Sequence, residues 1–126
     1  EAVKALAARG VTLCVISNTG RSPGVLLRKV LERYGLLDHF SVLTYSDEVG
    51  YRKPHLQIFR ETLRQAGSDP ARAVHVGDNP VDDVAGAKGA GMLAVHFSPR
   101  GEASYAQRPD AVVVHLGHLP ELLRTL

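Results

Sequence analysis

Tryptophan is missing altogether from the 126 residues, and the three Phe and four Tyr are scattered, so the sequence offers no stacked aromatic platform for single-stranded nucleic acid. There is one cysteine, Cys14, inside an apolar run; this excludes a disulfide framework and points to a reducing, cytoplasmic setting. No window reaches the length of a membrane-spanning helix, and the amino terminus has no signal-peptide core, so no membrane partner is expected. Fifteen Lys and Arg stand against thirteen Asp and Glu, a net charge of +2, with no basic run or stripe. That balance announces no nucleic-acid partner and leaves at most a mild attraction for phosphorylated metabolites. Repeats and low-complexity segments are absent as well.

What is present is the material of one globular domain spanning residues 1–126: 44% hydrophobic and 22% charged residues, enough for a single core and too little for two. Helix and strand patterns alternate through short turns, the grammar of a parallel sheet covered on both faces. A helix over 2–9 ends at Gly10 and leads into a nearly uninterrupted apolar strand at 11–16. Ser22 is placed as the cap of a helix with Pro23 at its first position, with Leu26, Val30, Leu31 and Tyr34 as its apolar face and Gly35 as its stop. A strand at 41–45, a loop at 46–54 and a helix carrying Leu56, Phe59, Leu63 and Ala66 follow. The rest reads as a strand at 73–76, a small-residue helix at 81–90, strands at 93–97 and 111–114, and a closing helix at 119–126. Residues 98–110, with two prolines and Gly101, read as a mobile loop.

Three strand exits or loops gather chemistry. The strand at 73–76 stops at Gly77-Asp78, and Asp83 follows five residues later. In open α/β sheets ligands bind outside the carboxyl ends of strands, where the next helix presents free N–H groups. Pro80 suits the first turn of that helix, and Asp82 is explained by its dipole alone. Asp78, set before the helix beside a glycine that allows close approach, is better explained by a bound cation or cationic side chain. The strand at 11–16 empties into Ser17-Asn18-Thr19-Gly20, a set that suits an anion, although an ordinary polar turn would use the same residues. Lys53 is presented from a loop by Pro54.

Taken in order, these positions resemble motifs II, III and IV of the haloacid dehalogenase superfamily, through KALAARGVTLCVISN, SDEVGYRKPHLQIF and VHVGDNPVDDVAGAKGAGM. The resemblance implies a three-layer, Rossmann-like α/β domain and a phosphatase-type hydrolase of small phosphorylated metabolites that works through an aspartyl-phosphate. On that resemblance Ser17 and the Asn18 N–H bind the phosphoryl group, and Lys53 neutralises charge on the nucleophile and the phosphoryl oxygens. Asp78 is a ligand of Mg²⁺, and Asp83 orients Lys53 or a water on the metal, with Asn79 as an extra polar contact. Positioning and cationic charge are what phosphoryl transfer requires, and hard oxygen donors suit Mg²⁺.

The chain departs from the family at one point. The nucleophile is the first aspartate of an Asp-x-Asp segment on an amino-terminal strand, and no Asp-x-Asp occurs in this sequence. The domain is therefore expected to be incomplete at its amino terminus, without its first strand or a cap, and inactive in isolation. That strand lies in the family between the one ending at Ser17 and the one ending at Asp78. Buried unpaired backbone groups cost about 1 to 3 kcal/mol each, so something is expected to fill the gap. The options in order are a separate polypeptide piece, a second copy's strand by exchange in a homodimer, and direct pairing of the orphaned strands. The loop at 46–54 is too short to carry a large cap.

Other functions remain as alternatives: a 2-haloacid dehalogenase, which shares the Ser17 and Lys53 types without needing metal, and a noncatalytic phosphate- or metal-binding module. A receiver-like signalling domain is disfavoured because Ser17, not an aspartate, stands at the first strand exit. Gly86, Gly89 and Gly91 fall within or after a helix, which fails the dinucleotide-binding pattern. The six histidines, His39, His55, His75, His96, His115 and His118, show no zinc spacing and default to packing or surface, with His75 and His96 on sheet faces.

Overall fold

A computed structural model describes residues 2–20, 23–101 and 103–126. The chain runs α1 (Ala2–Ala8), β1 (Cys14–Ser17), α2 (Gly24–Arg33), β2 (Val42–Tyr45), α3 (Ser46–Val49), α4 (Leu56–Ala66), β3 (Val74–Gly77), α5 (Gly86–Gly89), β4 (Leu93–Phe97), β5 (Ala111–Val113) and α6 (Leu119–Leu123). All strand pairs are parallel, with β1 on β2, β3 on β4 and β4 on β5. The alternating α/β architecture foreseen from the sequence is the one observed.

Neighbouring residues of β4 show how the layers form. Ala94 packs on one face with Ile58, Phe59 and Leu63 of α4 and with Val84, Ala87 and Met92. Val95 packs on the other with Leu6 of α1, Val113 and Leu119 of α6. Because successive strand side chains alternate, β4 is sealed on both sides and its five residues are apolar or buried. In α4, Ile58, Phe59, Thr62 and Leu63 form one buried stripe. Burying Ile58 and Phe59 fully contributes about 1.5 to 3 kcal/mol each. The polar member of the stripe is satisfied: the Thr62 and Thr44 hydroxyls lie 2.7 Å apart, and Thr62 also meets the Ile58 carbonyl at 2.9 Å. Gly67, at φ 68°, ends α4 in the left-handed conformation that suits glycine.

The sheet is split where the sequence places its gap. β1–β2 and β3–β4–β5 are separate hydrogen-bonded units, so direct pairing of the two orphaned strands does not occur. Every residue of β1 and of β3 is only half-buried, as befits strands with a ladder on one edge alone. The two units still share a core, since Ile16 of β1 packs against the cluster around Phe59 and Val84.

Several boundaries move. β1 begins at Cys14, not at residue 11; Val11 is exposed. Pro23 occupies the cap position of α2 instead of its first turn, and the expected cap Ser22 lies outside the described residues. The apolar face expected for α2 is not a core face: Leu26, Val30 and Tyr34 are 48%, 45% and 71% exposed. Gly24, not a large side chain, is the buried contact of that helix, lying so close under Tyr45 and Glu48 that an added Cβ would overlap both. The loop at 46–54 opens with the single turn α3, and α6 is shorter than expected. The small-residue helix starts as a wide π turn, Pro80–Ala85, in which the Asn79 carbonyl accepts from both the Asp83 and Val84 N–H groups. Among the described residues no helix is long and apolar enough to cross a membrane.

Candidate active site

Asp83 is the hub of the site. It follows β3 in the π turn, and the turn's packing on the sheet brings its carboxyl against Gly77, where any Cβ would collide with it. The glycine expected to let a ligand approach thus admits the protein's own carboxylate. Oδ1 accepts from Lys53 Nζ at 2.6 Å and from His75 Nε2 at 2.8 Å, and Oδ2 accepts from the Asn79 N–H at 3.0 Å. The Lys53 and Asp83 side chains are only 12% and 5% exposed. Burial by itself would raise the Asp83 carboxyl's pKa; the hydrogen bonds from His75, Lys53 and the Asn79 N–H, with the charge of Lys53, outweigh it and hold the group far below the usual carboxylate range. An ionised carboxylate only accepts, so His75 carries its proton on Nε2. On its other side the His75 ring meets Phe59 edge-on, 5.2 Å between centroids.

Asn18 ties the first strand exit to the lysine. Its side chain accepts the Lys53 N–H at 2.7 Å and donates to the Lys53 carbonyl at 3.0 Å, pairing with that backbone as a neighbouring strand would. The same amide reaches Asp82 Oδ2 at 3.3 Å. Residues 17–19, the loop of Lys53 and the turn after Asp78 are therefore joined by direct contacts across the split in the sheet. Ser17 ends β1 opposite Tyr45 in the β2 register. Asn79, expected as an extra polar contact, caps the π turn by accepting from the Val81 and Asp82 N–H groups, both at 2.9 Å.

Thr19 is fixed from the other side. Its N–H donates to Ser46 Oγ at 2.7 Å, its hydroxyl donates to Asp47 Oδ1 at 2.6 Å, and the Asp47 N–H returns a bond at 2.8 Å. The hydrogen bond from Thr19 leads the causes that lower the Asp47 pKa. Thr19, Ser46, Asp47, Gly50, Tyr51 and Arg52 line a shallow depression of about 200 Å³ beside these contacts.

Asp78 differs from Asp83. It emerges directly after β3, is exposed, and among the described residues no side chain or backbone group bonds its carboxylate. No group of three or more His, Cys, Asp or Glu side chains gathers to cage a metal among the described residues. Mg²⁺ does not need such a cage, because one or two carboxylates with waters and substrate phosphate suffice; an unengaged carboxylate at a strand exit fits that donor chemistry. Asp83, by contrast, has its oxygens taken by three donors, one of them Lys53.

Sequence reading missed His75, His96 and the Thr19–Ser46–Asp47 contacts. The signal for His75 was its place two residues before Gly77, which puts both on one face of β3.

A family model for haloacid dehalogenase-like hydrolases matches residues 1–91. The glyceraldehyde 3-phosphate phosphatase of Methanothermobacter thermautotrophicus is 40% identical over 92 residues, 71% of this chain and 38% of that protein. The phosphoserine phosphatase of Thermus thermophilus is 44% identical over 89 residues, 69% of this chain and 34% of that protein. The crystal structure of 2-haloacid dehalogenase from Pseudomonas syringae pv. Tomato matches with a TM-score of 0.84 and 38% identity, covering 98% of this chain and 50% of the other. The chain belongs to the haloacid dehalogenase-like hydrolases, and it spans half or less of the length of these relatives.

Proposed function

We propose that this chain supplies the phosphate-, lysine- and metal-binding part of a Mg²⁺-dependent phosphatase acting on small phosphorylated metabolites. The observation that carries the reading is the division of labour between two carboxylates. One is buried and holds Lys53, while the other, at the strand exit, has no bonded partner among the described residues. In the reaction, the Ser17 hydroxyl and the Asn18 N–H hold phosphoryl oxygens, and the Lys53 ammonium, fixed by Asp83, offsets their charge. An aspartate outside this sequence attacks phosphorus, the bond to the leaving oxygen breaks, and a second carboxyl group on the same strand, in its protonated form, gives that oxygen its proton. Water then cleaves the aspartyl-phosphate. Asp78 would hold Mg²⁺, and the ion, when bound, would supply further positive charge on the phosphoryl oxygens.

The same reading assigns the open edges of β1 and β3 to a further strand. Its sources, in order, are a separate or preceding polypeptide segment and a second copy in a homodimer; the cell compartment is the cytoplasm. Phosphatase names among the relatives support the substrate class. The likeness to a 2-haloacid dehalogenase keeps a second reading, hydrolytic dehalogenation, in view.

Amide NMR spectra of the chain titrated with inorganic phosphate and Mg²⁺ test the first reading. Shifts are expected at Ser17, Asn18, Lys53 and Asp78, and spectra unchanged there at millimolar ligand would count against it. Metal-independent turnover of 2-chloropropionate by the protein completed with its nucleophile strand would select the second. Hydrolysis of a generic phosphate ester by the 126 residues alone is expected to be negligible.

A further inference from the structure

His96 is 2% exposed and lies outside every role assigned above. It stands in β4 opposite Gly77 of β3, and paired positions in parallel strands face the same side, so its ring lies on the sheet face on which Asp83 covers Gly77. From there Nε2 lies 3.1 Å from the backbone carbonyl oxygen of Asp78, and Nδ1 makes a short hydrogen bond with the Tyr105 hydroxyl. The rings of His96 and Tyr105 meet edge-on at 5.3 Å.

The partners dictate the protons. A carbonyl oxygen can only accept, so Nε2 carries the hydrogen. In the neutral ring Nδ1 is then an acceptor, and the Tyr105 hydroxyl must donate. The bridge therefore has one direction: Tyr105 O–H to His96 Nδ1, His96 Nε2–H to the Asp78 carbonyl. Tyr105 belongs to the β4–β5 connection, which is anchored again where Asp110 accepts the Ala94 N–H at 2.8 Å and pairs with Lys88 at 3.0 Å. A connection expected to be mobile thus reaches, through one buried ring, the backbone of the residue with the unengaged carboxylate.

We infer that His96, oriented by Tyr105, is a positioning residue for Asp78: it fixes the peptide plane after β3 and so aims the Asp78 carboxylate. The step from that aim to metal affinity rests on the phosphatase reading; the bridge does not. Groups that hold a metal ligand in this indirect way typically alter affinity by 10- to 100-fold when removed.

Two substitutions separate positioning from packing. His96→Gln puts an amide donor near the place of Nε2 and loses the Nδ1 acceptor, whereas His96→Asn keeps a polar group near Nδ1 and cannot reach Asp78. The Asp78 carbonyl ¹³C resonance, which responds to hydrogen bonding, is read in the full chain together with Mg²⁺ affinity by calorimetry. Expected are a wild-type His96 with the Nε2–H tautomer in its ¹⁵N spectrum, and a carbonyl signal that stays in place in His96→Gln and moves in His96→Asn. Mg²⁺ affinity should stay within about threefold of wild type for the first and fall about tenfold for the second. Tyr105→Phe should leave thermal stability nearly unchanged and shift the His96 ring nitrogens. If the Gln and Asn variants move the carbonyl equally, or neither moves it, the positioning role is overturned whether or not metal binds. If wild type binds no Mg²⁺ while the carbonyl pattern appears as stated, the bridge stands and the metal reading falls.

Discussion

Replacing Asp83 by Asn tests the central electrostatic argument. The substitution keeps size and shape but leaves the Lys53 ammonium, in a side chain 12% exposed, without its counter-charge. An amide oxygen in the place of Oδ1 can still accept from Lys53 and His75, whereas an NH2 in the place of Oδ2 meets the Asn79 N–H donor to donor. Breaking a buried pair from one side typically costs 3 to 5 kcal/mol; because Lys53 sits at the rim and can turn toward water, about 3 kcal/mol is expected. Lys53→Met should cost less, about 1 to 2 kcal/mol, since Asp83 keeps its other two donors. The double variant should then be more stable than the sum of the singles implies by at least about 1 kcal/mol. Urea unfolding at pH 7, followed by circular dichroism with equal slopes required across the four proteins, measures all three numbers. Additivity within about 0.5 kcal/mol would refute the claim that the two charges hold each other in place.

The same carboxylate sets an acid limit. Its pKa is depressed by folding, so its stabilisation is fully present above the unfolded value near 4 and drains away as pH falls below that toward the folded value; stability curves from pH 6 to pH 2 should fall more steeply for wild type than for Asp83→Asn, and parallel curves would contradict the assignment. Gly77→Ala should destabilise strongly, by more than about 2 kcal/mol, because its Cβ would displace Asp83 from its seat, and a Tm within a degree of wild type would show that the seat is not tight. Asp78→Asn should leave Tm almost unaltered yet reduce Mg²⁺-dependent phosphatase turnover of the completed enzyme about a hundredfold or more, and undiminished turnover would remove Asp78 from the metal.

Local pattern alone made much of the protein legible. The alternation of helix and strand, the Gly67 stop of α4 and a strand before Asp78, half-buried where full burial was expected, follow from periodicity and turn chemistry, and the grouping of Asn18, Lys53 and Asp83 from the order of the family's motifs. The family resemblance also implied a gap in the sheet, because an Asp-x-Asp strand is missing, and of the ways to fill it direct pairing of β1 with β3 does not occur. What local pattern could not decide depends on partners distant in sequence. Leu26, Val30 and Tyr34 have helical spacing, but spacing does not say which face meets a neighbour, and Gly24 is the side of α2 that Tyr45 covers. Likewise a histidine in a strand is ambiguous by itself. His75 and His96 acquire roles only when the π turn brings Asp83 onto Gly77 and the β3–β4 register sets His96 beside the Asp78 backbone, since a hydrogen bond requires two groups within about 3 Å and only the folded chain brings them there.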